Sequence, residues 1–567
     1  MIKTESNAMR IAKSLKRHGV KEIFGQSNPY PIILACEKIG IRQIGFRQEN
    51  TGTYMAHGYA MCSGSVSVVA AQNGPAAALV VAGLAESLKA SIPIIAVVQD
   101  VAYSNTEKNA FQELDHVKLF EGVSKWVRRI PCHERIEDFV DMAFIAAASS
   151  RPGPAVLLCP TDMMIDQTEY PVDTTRVSNH NRLPLDRVGP DPEQVVKAAK
   201  ILAQAKKPLI YSGGGVISSG AQKELRAIQE DCAIPVATTS MGKGGVDEKH
   251  PLSIGPIGYY MGKRGATKFL KSMVQGADVI LLAGNRTNQN GTDVWTLLPR
   301  TARYIHIDID PMEIGRNYET EIRVLGDAKL SLAALHKALL AEDLSTRRQT
   351  RSALEIAIKT GKEDHAQEAS DVTEPDANPI QVERLLAEIN RALDPDHIVV
   401  GDASFSSIWL ANYVTATEKR KFVFPRGIAG IGWGLPMAIG AKLAQPKRRV
   451  ICLTGDGGFA HAWSELETCK REKIDVVIVV INNRVLAYQK YYEVVLGGSS
   501  TSACDLGSVN HASIAEACGV MGIRVEKAED LKVAIQEAMA HEGTVLIDVI
   551  ASPACYPPIP MMDNLLR

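Results

Sequence analysis

Two apolar stretches, Arg449-Val-Ile-Cys-Leu-Thr454 and Asp475-Val-Val-Ile-Val-Val-Ile481, decide the fold, because each runs directly into polar residues. The first is followed by Gly455-Asp456-Gly457 and the second by Asn482-Asn483. Continuous β-branched runs are typical of parallel strands that are buried on both faces of a sheet. Between them, Ala460 to Arg471 has a helical distribution of apolar positions. The unit is therefore predicted to be strand, turn, helix and strand.

The polar residues after these strands predict a metal and phosphate site. Ligands of such sheets bind at the carboxyl ends of the strands, where Asp456 and Asn483 both fall. A carboxylate and an amide oxygen suit Mg²⁺ that is bound through a phosphate group. The glycines let the turn approach a diphosphate closely, and the helix after them offers free N–H groups. An isolated Gly-Asp-Gly is a common turn, but the Asn pair after the next strand favours the metal site.

Gly-Asp-Gly followed by Asn-Asn resembles the cofactor motif of thiamine-diphosphate-dependent enzymes. The resemblance implies that thiamine diphosphate and Mg²⁺ are the cofactors. It implies that Asp456, the side chain of Asn483 and the main-chain carbonyl of Val485 hold the metal. The glycines that it places against the cofactor are Gly455, Gly457 and Gly458.

A second segment, Ile44-Gly-Phe-Arg-Gln-Glu49, resembles the other half of that family's site. The resemblance implies that Glu49 bonds to N1′ of the aminopyrimidine and promotes the 4′-imino form, which generates the ylid. Taken alone, a glutamate at a helix start only stabilises the helix dipole. The residues after it are small and suit close packing against a partner; they are Gly52, Ala56, Gly58 and Ala60. Because family members build their sites across a dimer interface, we expect a homodimer or homotetramer.

A third segment, Arg426 to Pro436, is rich in glycine and lies just before the metal motif. Matched to the family, Ile431 is the bulky apolar residue beneath the cofactor, which forces its bent conformation. The carbonyl of Ala429 accepts a hydrogen bond from the 4′-nitrogen in the same match. By itself Ile431 would be assigned to the core, as most buried isoleucines are.

The composition excludes several classes of function. At 567 residues the chain is expected to hold about three domains. Its net charge of −1 gives no basic surface for nucleic acid. No stretch has the ~20 apolar residues of a membrane span, and the N-terminus lacks a signal core. Ten scattered cysteines without a Cys-x-x-Cys pair indicate reduced thiols, so the expected location is cytoplasmic.

Strands alternate with helices three times along the chain, which predicts an α/β protein of three doubly wound parallel-sheet domains. In the domain order that the resemblance implies, these are a pyrimidine-binding domain over 1–175, a central domain over 190–340 and a diphosphate-binding domain with a C-terminal tail over 379–567. The charged segment 341–378 between the last two is expected to be solvated helix and linker. The expected strands are Val66–Ala71, Ile92–Gln99, Ala155–Cys159, Pro208–Ser212, Pro235–Thr239, Val279–Ala283, Tyr304–Ile309, Ile398–Gly401, Arg449–Leu453, Val476–Ile481 and Val545–Ile550.

Several stretches, among them Phe111-Gln112-Glu113 and Ile305 to Gly315, resemble acetolactate synthase catalytic subunits. The resemblance implies C–C bond cleavage or formation on a small-molecule 2-oxo substrate. Open alternatives are a 2-oxo acid or acyl-CoA decarboxylase or lyase, and an acetolactate synthase large subunit itself. A non-catalytic paralogue would lack Glu49, Asp456 or Asn483, and all three are present. A nicotinamide oxidoreductase would need Gly-x-Gly-x-x-Gly opening a helix.

The substrate-facing positions depart from the synthases. Asn290 stands where they place a carboxylate-binding arginine, Thr161 where they place a lysine, and Tyr492 where they place an aromatic selector. An amide cannot replace a bidentate arginine. These changes predict slow condensation of two pyruvates and good competition by uncharged acceptors. Polar groups that could line the changed pocket are Gln112, Tyr488 and Asn28, with the first two expected at the catalytic centre.

Ser212 to Gly220 is a glycine-rich stretch after a predicted central strand. Many relatives carry a non-redox FAD on this domain, and others carry ADP or nothing. The stretch would let the backbone approach a pyrophosphate, although it is equally an ordinary turn. FAD binding is therefore left open.

Overall fold

Buried β-branched and aliphatic runs form parallel sheets, as the sequence predicts. The structure is a computed structural model that describes residues 2–171 and 176–566. Within those residues it has three six-stranded parallel sheets, and apolar cores cover both faces of the first. This confirms the α/β class and the three doubly wound sheets. The predicted domain end at residue 175 lies outside the described residues.

The first sheet belongs to the N-terminal region. The strands of this region are β1 (Ile2–Ser6), β2 (Glu22–Phe24), β3 (Arg42–Ile44), β4 (Ser67–Ala71), β5 (Ile94–Asp100), β6 (Trp126–Arg129), β7 (Ala155–Pro160) and β8 (Gln167–Pro171). Its helices are α1 (Asn7–Arg17), α2 (Tyr30–Lys38), α3 (Glu49–Ser63), α4 (Pro75–Ala90), α5 (His116–Glu121), α6 (Ile136–Ala148) and α7 (Thr161–Ile165). The sheet has the order β3-β2-β4-β5-β7-β6, and β1 pairs with β8 in a separate antiparallel ribbon.

The second sheet has the order β11-β10-β9-β12-β13-β14. Its strands are β9 (Pro208–Ser212), β10 (Val236–Thr238), β11 (Ser253–Pro256), β12 (Val279–Ala283), β13 (Arg303–Asp308) and β14 (Ile322–Leu325). Its helices are α8 (Pro192–Gln204), α9 (Gly214–Ser219), α10 (Gln222–Asp231), α11 (Lys271–Gln275) and α12 (Ala328–Leu339). Numbered within the domain, this order is 3-2-1-4-5-6, the commonest order of doubly wound sheets.

Most of the segment that was expected to contain a linker is one helix, α13 (Ser345–Thr373). The helix is largely solvated, as its charge predicts, but it buries Arg347, Ile358, Gly361 and Ala369. The guanidinium of Arg347 donates to the carbonyl of Lys206 at 2.9 Å, which attaches the start of the helix to the central domain.

The third sheet repeats the topology of the first. Its strands are β15 (Ile398–Gly401), β16 (Lys421–Val423), β17 (Val450–Gly455), β18 (Val477–Asn482), β19 (Met521–Val525) and β20 (Val545–Ile550). Its helices are α14 (Val382–Ala392), α15 (Phe405–Tyr413), α16 (Gly434–Ala444), α17 (Asp456–Phe459), α18 (Glu465–Glu472), α19 (Ala487–Gly497), α20 (His511–Ala517) and α21 (Leu531–Ala540). The order β16-β15-β17-β18-β20-β19 is that of the first sheet, 2-1-3-4-6-5 within each domain. The two domains are therefore structural equivalents.

The first and third domains share one apolar core, where α3 packs against α16. A Cβ on Gly58 would lie 2.3 Å from the carbonyl oxygen of Met437, and one on Gly440 would lie 1.9 Å from that of Met55. The two backbones therefore touch only because both positions are glycine. The expectation that the small residues of α3 pack against a partner is corrected for Gly58, which faces α16 of its own chain.

Replacing Gly440 by alanine is expected to push α3 and α16 apart, because the new methyl group meets backbone atoms that cannot rotate away. Such overpacking typically costs about 1–3 kcal/mol. We expect scanning calorimetry to show a lower Tm for Gly440→Ala. Gly122→Ala is the control, because no atom lies within 4 Å of the added Cβ there. Equal Tm values for the two variants would contradict the packing argument.

Candidate active site

The carboxyl ends of β17 and β18 bring the predicted metal ligands to one edge of the third sheet. The two strands pair in parallel, with Gly455 opposite Ile481. Asp456 therefore leaves the sheet beside the segment that carries Asn483. This is the arrangement that the two sequence motifs predict, and it follows from parallel strands of matched register.

Asp456 is a buried carboxylate that lacks a positive partner among the described residues. Its Oδ1 accepts from the N–H of Gly457 at 2.8 Å, and its Oδ2 accepts from the N–H of Arg484 at 2.6 Å. Burial raises the pKa of Asp456 to about 6, against the effect of these hydrogen bonds. A buried carboxylate is costly without a nearby cation. The carboxylate thus fits a bound Mg²⁺.

The two asparagines differ in what their side chains do. Asn482 donates from Nδ2 to the carbonyl of Val509 and to Oδ1 of Asp548, both at 2.9 Å. The side chain of Asn483 forms no hydrogen bond within the described part of the chain and is half-buried. Asn483 is therefore the asparagine that is available as a ligand.

The turn after β18 is held in a shape that presents Val485. Arg484 has a φ of +59°, and Val485 is buried and bridges to Asp505. The N–H of Leu486 donates to the carbonyl of Cys504 at 2.8 Å. One carboxylate, one amide and one main-chain carbonyl match the hard oxygen ligands that Mg²⁺ prefers.

Two of the three glycines are closely packed. A Cβ on Gly458 would lie 2.2 Å from Oδ2 of Asp402, and one on Gly457 would lie 2.5 Å from Leu486. Gly455 has no atom within 4 Å of that position, so it leaves open space beside the site. The predicted helix Ala460 to Arg471 is wrong at its start, because the chain first forms the separate short helix α17, which packs on Asp402 through Gly458, and α18 begins only at Glu465.

Sequence reasoning missed Asp402, which is fully buried at the end of β15. Its carboxylate accepts from the N–H groups of Gly432 and Trp433 at 3.1 and 2.9 Å, and from the hydroxyl of Thr454 at 2.9 Å. Burial raises its pKa, and these hydrogen bonds act against the shift. Asp402 ties the start of α16 to β17.

The loop before α16 carries the two residues that the resemblance places at the aminopyrimidine. Ala429 has a φ of +64°, an uncommon conformation for a residue other than glycine. Ile431 is not part of the buried core, although a lone isoleucine would be assigned there. Ala429 is likewise only partly buried, so neither position is enclosed in the core.

Glu49 begins α3 and points into a small cavity of the first domain. Its carboxylate forms no hydrogen bond or ion pair with any residue that the structure describes. The cavity is lined by Gln26, Ser27, Asn28, Phe46, Glu49, Ala70, Ala71, Gln72 and Ala76. All of these residues belong to the first domain, so the metal ligands of the same chain are not among them.

Gln112 lies on the Glu49 side of the site. It has a φ of +59°, and its Oε1 accepts from Nε2 of Gln72 at 3.0 Å. Gln72 in turn lines the Glu49 cavity. Thr161 does not line this cavity. It begins α7, and its hydroxyl donates to the carbonyl of Asp100 at 2.9 Å.

Tyr488 lies on the other side, in an aromatic cluster after the metal-binding turn. Its ring meets Phe405 edge-on and stacks with Tyr492, which is 40% exposed. The Tyr488 and Tyr259 hydroxyl oxygens are 3.4 Å apart. The N–H of Tyr259 donates to the carbonyl of Asn290 at 2.7 Å, so position 290 adjoins this cluster.

Arg426 is a second residue that sequence reasoning did not select. Its Nε and Nη2 atoms are buried and have no hydrogen-bond partner among the described residues. These two atoms form the edge that Arg10 uses to hold both carboxylate oxygens of Glu137, at 2.9 and 2.7 Å. Burial raises the pKa of Tyr259, and the charge of Arg426 acts against that shift.

Close packing accounts for the glycine-rich stretch of the central domain. A Cβ on Gly213 would lie 2.2 Å from the carbonyl oxygen of Gly284, and one on Gly215 would lie 2.7 Å from its Cα. The two loops therefore need glycine to pass each other, whatever else they bind. Across the described ranges, no helix combines the length and the apolar character that crossing a membrane requires.

Family comparisons agree with this geometry along most of the chain. The N-terminal TPP binding domain of the thiamine pyrophosphate enzymes matches residues 7–119. The central domain of those enzymes matches residues 195–335, and their C-terminal TPP binding domain matches residues 402–549.

Three curated relatives are named as an acetolactate synthase or as its large subunit. The probable acetolactate synthase large subunit of Methanocaldococcus jannaschii is 33% identical, covering 99% of this chain and 95% of the relative. The acetolactate synthase of Arthrospira platensis is 30% identical, covering 99% and 97%. The acetolactate synthase large subunit of Parasynechococcus marenigrum is 31% identical, covering 98% and 90%. The chain therefore belongs to the thiamine-pyrophosphate-dependent enzymes, in their acetolactate synthase-like superfamily.

Proposed function

We propose that the protein binds thiamine diphosphate with Mg²⁺ and cleaves or forms C–C bonds of 2-oxo compounds, as a carboligase or lyase with an altered acceptor pocket. The observation that carries the proposal is the buried carboxylate of Asp456 at the joint edge of β17 and β18. When bound, the cofactor supplies the electron sink for the cleaved bond. FAD is left out of the proposal, because packing against Gly284 accounts for the central glycines.

In this proposal the third domain holds the charged end of the cofactor. Asp456, Asn483 and the carbonyl of Val485 would hold Mg²⁺, and the open space at Gly455 would admit the diphosphate. The loop with Ala429 and Ile431 would hold the aminopyrimidine. Each of these groups lies at the carboxyl side of the sheet, where ligands of doubly wound folds bind.

Glu49 would hold a proton near the aminopyrimidine, and a second copy of the chain would be needed to bring it there. The support is twofold. Its carboxylate is free of partners within the described residues, and its cavity is lined by the first domain alone. A homodimer or homotetramer with sites between chains completes such a cavity. The ten free cysteines support the cytoplasmic location that the sequence predicts.

The acceptor pocket is proposed to hold a substrate carboxylate at Arg426. Asn290 lacks the charge that the synthases use at this position, and the expectation of uncharged acceptors rests on Asn290 together with Thr161 and Tyr492. Arg426 offers a buried guanidinium edge without a hydrogen-bond partner among the described residues, and its charge acts on the pKa of Tyr259, whose N–H donates to the carbonyl of Asn290. Such an edge binds a carboxylate through two parallel hydrogen bonds. Tyr488 and Gln112 would then bound the pocket from its two sides.

Acetolactate synthesis from pyruvate is a second candidate, and the names of the relatives favour it. A panel of 2-oxo acids, diketones, aldehydes and acyl-CoAs, offered to the enzyme with both cofactors, separates the two. Rapid formation of acetolactate from pyruvate alone would select the second candidate.

Asp456→Ala is expected to abolish binding of both Mg²⁺ and thiamine diphosphate, because the metal loses its one charged protein ligand. Calorimetric titration of the variant with both compounds checks this, and circular dichroism checks that the fold is kept. Asp475→Ala is the control, because that aspartate precedes β18 at the opposite end of the strand. Wild-type cofactor affinity in Asp456→Ala would refute the metal assignment.

Mixing Glu49→Gln chains with Asp456→Ala chains is expected to restore activity that neither variant has alone. Random pairing makes half of the dimers hybrid, and each hybrid has one intact site, so about a quarter of wild-type activity is expected. The measurement is turnover after joint refolding, with native mass spectrometry to confirm hybrid dimers. Hybrid dimers without activity would contradict a site shared between chains.

Arg426→Gln is expected to raise KM for the 2-oxo acid about tenfold or more, the size expected when a hydrogen-bonded charge pair is lost. The affinity for thiamine diphosphate should not change, because Arg426 is not one of the residues predicted to bind the cofactor. Arg303→Gln is the control, since Arg303 pairs with Glu321 at the surface of the central domain. An unchanged KM in Arg426→Gln would remove the carboxylate site from the proposal.

A further inference from the structure

Glu86 is a fully buried carboxylate that no motif predicts. It lies on α4 of the first domain, and it accepts hydrogen bonds from the main chain of the third domain. Its Oε1 accepts from the N–H of Gly427 at 2.5 Å, and its Oε2 accepts from those of Ile428 and Ala429 at 2.6 and 2.8 Å. One side chain therefore fixes three successive peptide groups, ending at the residue whose φ is +64°.

Glu465, a glutamate of the third domain, accepts hydrogen bonds from a loop of the first domain and from the helix that follows it. It is fully buried on α18, and its Oε1 accepts from the N–H of Arg47 at 2.9 Å. The Thr51 hydroxyl oxygen lies 2.5 Å from the same Oε1, and the Thr468 hydroxyl oxygen lies 2.7 Å from Oε2. Burial raises the pKa of Glu465, and these hydrogen bonds act against the shift. Glu465 thus holds both sides of the turn that presents Glu49.

The two carboxylates occupy equivalent places. The first and third sheets have the same strand order. Glu86 lies on α4, the helix after β4, and Glu465 begins α18, the second helix after β17; β4 and β17 are the third strands of their sheets. The loops that they hold follow β16 and β3, the second strands. Each domain therefore holds the site-forming loop of the other through a buried carboxylate.

We propose that Glu86 and Glu465 are a reciprocal pair of positioning residues for cofactor activation. Glu86 sets the carbonyl of Ala429, and Glu465 sets the carboxylate of Glu49. These are the two protein groups that the family resemblance places at the aminopyrimidine. The inference rests on the proposed thiamine diphosphate chemistry, and it adds that both groups are placed by buried carboxylates of the opposite domain.

The physical reason lies in what a carboxylate can accept. Ionised oxygens accept several N–H groups at once, and such charge-assisted bonds are stronger than neutral ones. A glutamine at the same place has one accepting oxygen and an NH₂ group that would face N–H donors. The substitution therefore releases part of the loop without removing bulk from the interface between domains.

The test measures C2–H/D exchange of thiamine diphosphate bound to the whole enzyme, by quenched flow and NMR. Glu86→Gln and Glu465→Gln are each expected to slow the exchange about tenfold or more, the loss expected for a hydrogen bond to a charged group. Cofactor affinity, measured by calorimetry, should stay within about threefold, because the diphosphate end is held elsewhere. Glu383→Gln is the matched control, a buried glutamate paired with Arg264 away from these loops.

Two further variants approach the same contacts from the loop side. Gly427→Ala would bring a methyl group 2.5 Å from the carbonyl oxygen of Glu86 and 2.9 Å from its Oε1. Thr51→Val removes the hydroxyl beside Glu465. Both should slow C2–H/D exchange as the glutamine variants do. If a glutamine variant fails to fold, these two variants test the positioning role instead.

The outcomes separate this inference from the proposed function. Wild-type exchange rates in the glutamine variants, or in Gly427→Ala and Thr51→Val, would overturn the positioning role. Loss of cofactor affinity with an intact fold would overturn it as well, because the carboxylates would then serve binding. A wild-type enzyme that does not bind thiamine diphosphate would refute the proposed function itself.

Discussion

The buried carboxylate of Asp456 is the constraint on which the account of the site depends. A charge in that place is unfavourable unless a cation or a set of donors compensates it. Two backbone N–H groups contribute, yet its pKa is still raised to about 6. This carboxylate lies at the end of the third sheet, where matched strands also bring Asn483, whose side chain has no hydrogen-bond partner among the described residues. The surrounding glycines and the buried Asp402 fix the turn that holds the carboxylate in place.

A duplicated topology explains how the rest of the site is arranged. The first and third domains use the same strand order, and α3 and α16 touch through Gly58 and Gly440. This contact fixes the two domains against each other, so that each can hold a loop of the other. Glu49 and Ala429 are presented by those loops. The chemistry of the proposed site thus depends on an interface that contains none of its ligands.

Much of the fold could be predicted from the sequence, because buried parallel strands have continuous apolar runs. The expected strand Val279–Ala283 is found unchanged, and Ala155–Cys159 is one residue short. Short strands at sheet edges were missed, among them Lys421–Val423, because three residues with one buried position carry little pattern. The strand Ile2–Ser6 was also not predicted. It pairs only with β8 in a separate antiparallel ribbon and belongs to none of the large sheets.

The residues of the site also fall into those that the sequence could predict and those that it could not. Asp456 and Asn483 could be found because a motif names them, and their strands are adjacent in sequence. Glu86, Glu465 and Arg426 could not, because each acts through contacts with residues far along the chain, and a single glutamate or arginine has no pattern. The substrate positions were judged from Asn290, Thr161 and Tyr492, whereas the structure adds Arg426, whose Nε and Nη2 atoms are buried without a hydrogen-bond partner among the described residues.

The most direct measurement is calorimetric titration of the wild-type protein with thiamine diphosphate, with Mg²⁺ present and again with a chelator. The account predicts binding with Mg²⁺ and its loss with the chelator, because the diphosphate is held at Asp456 through the metal. Equal affinity under both conditions would contradict the account.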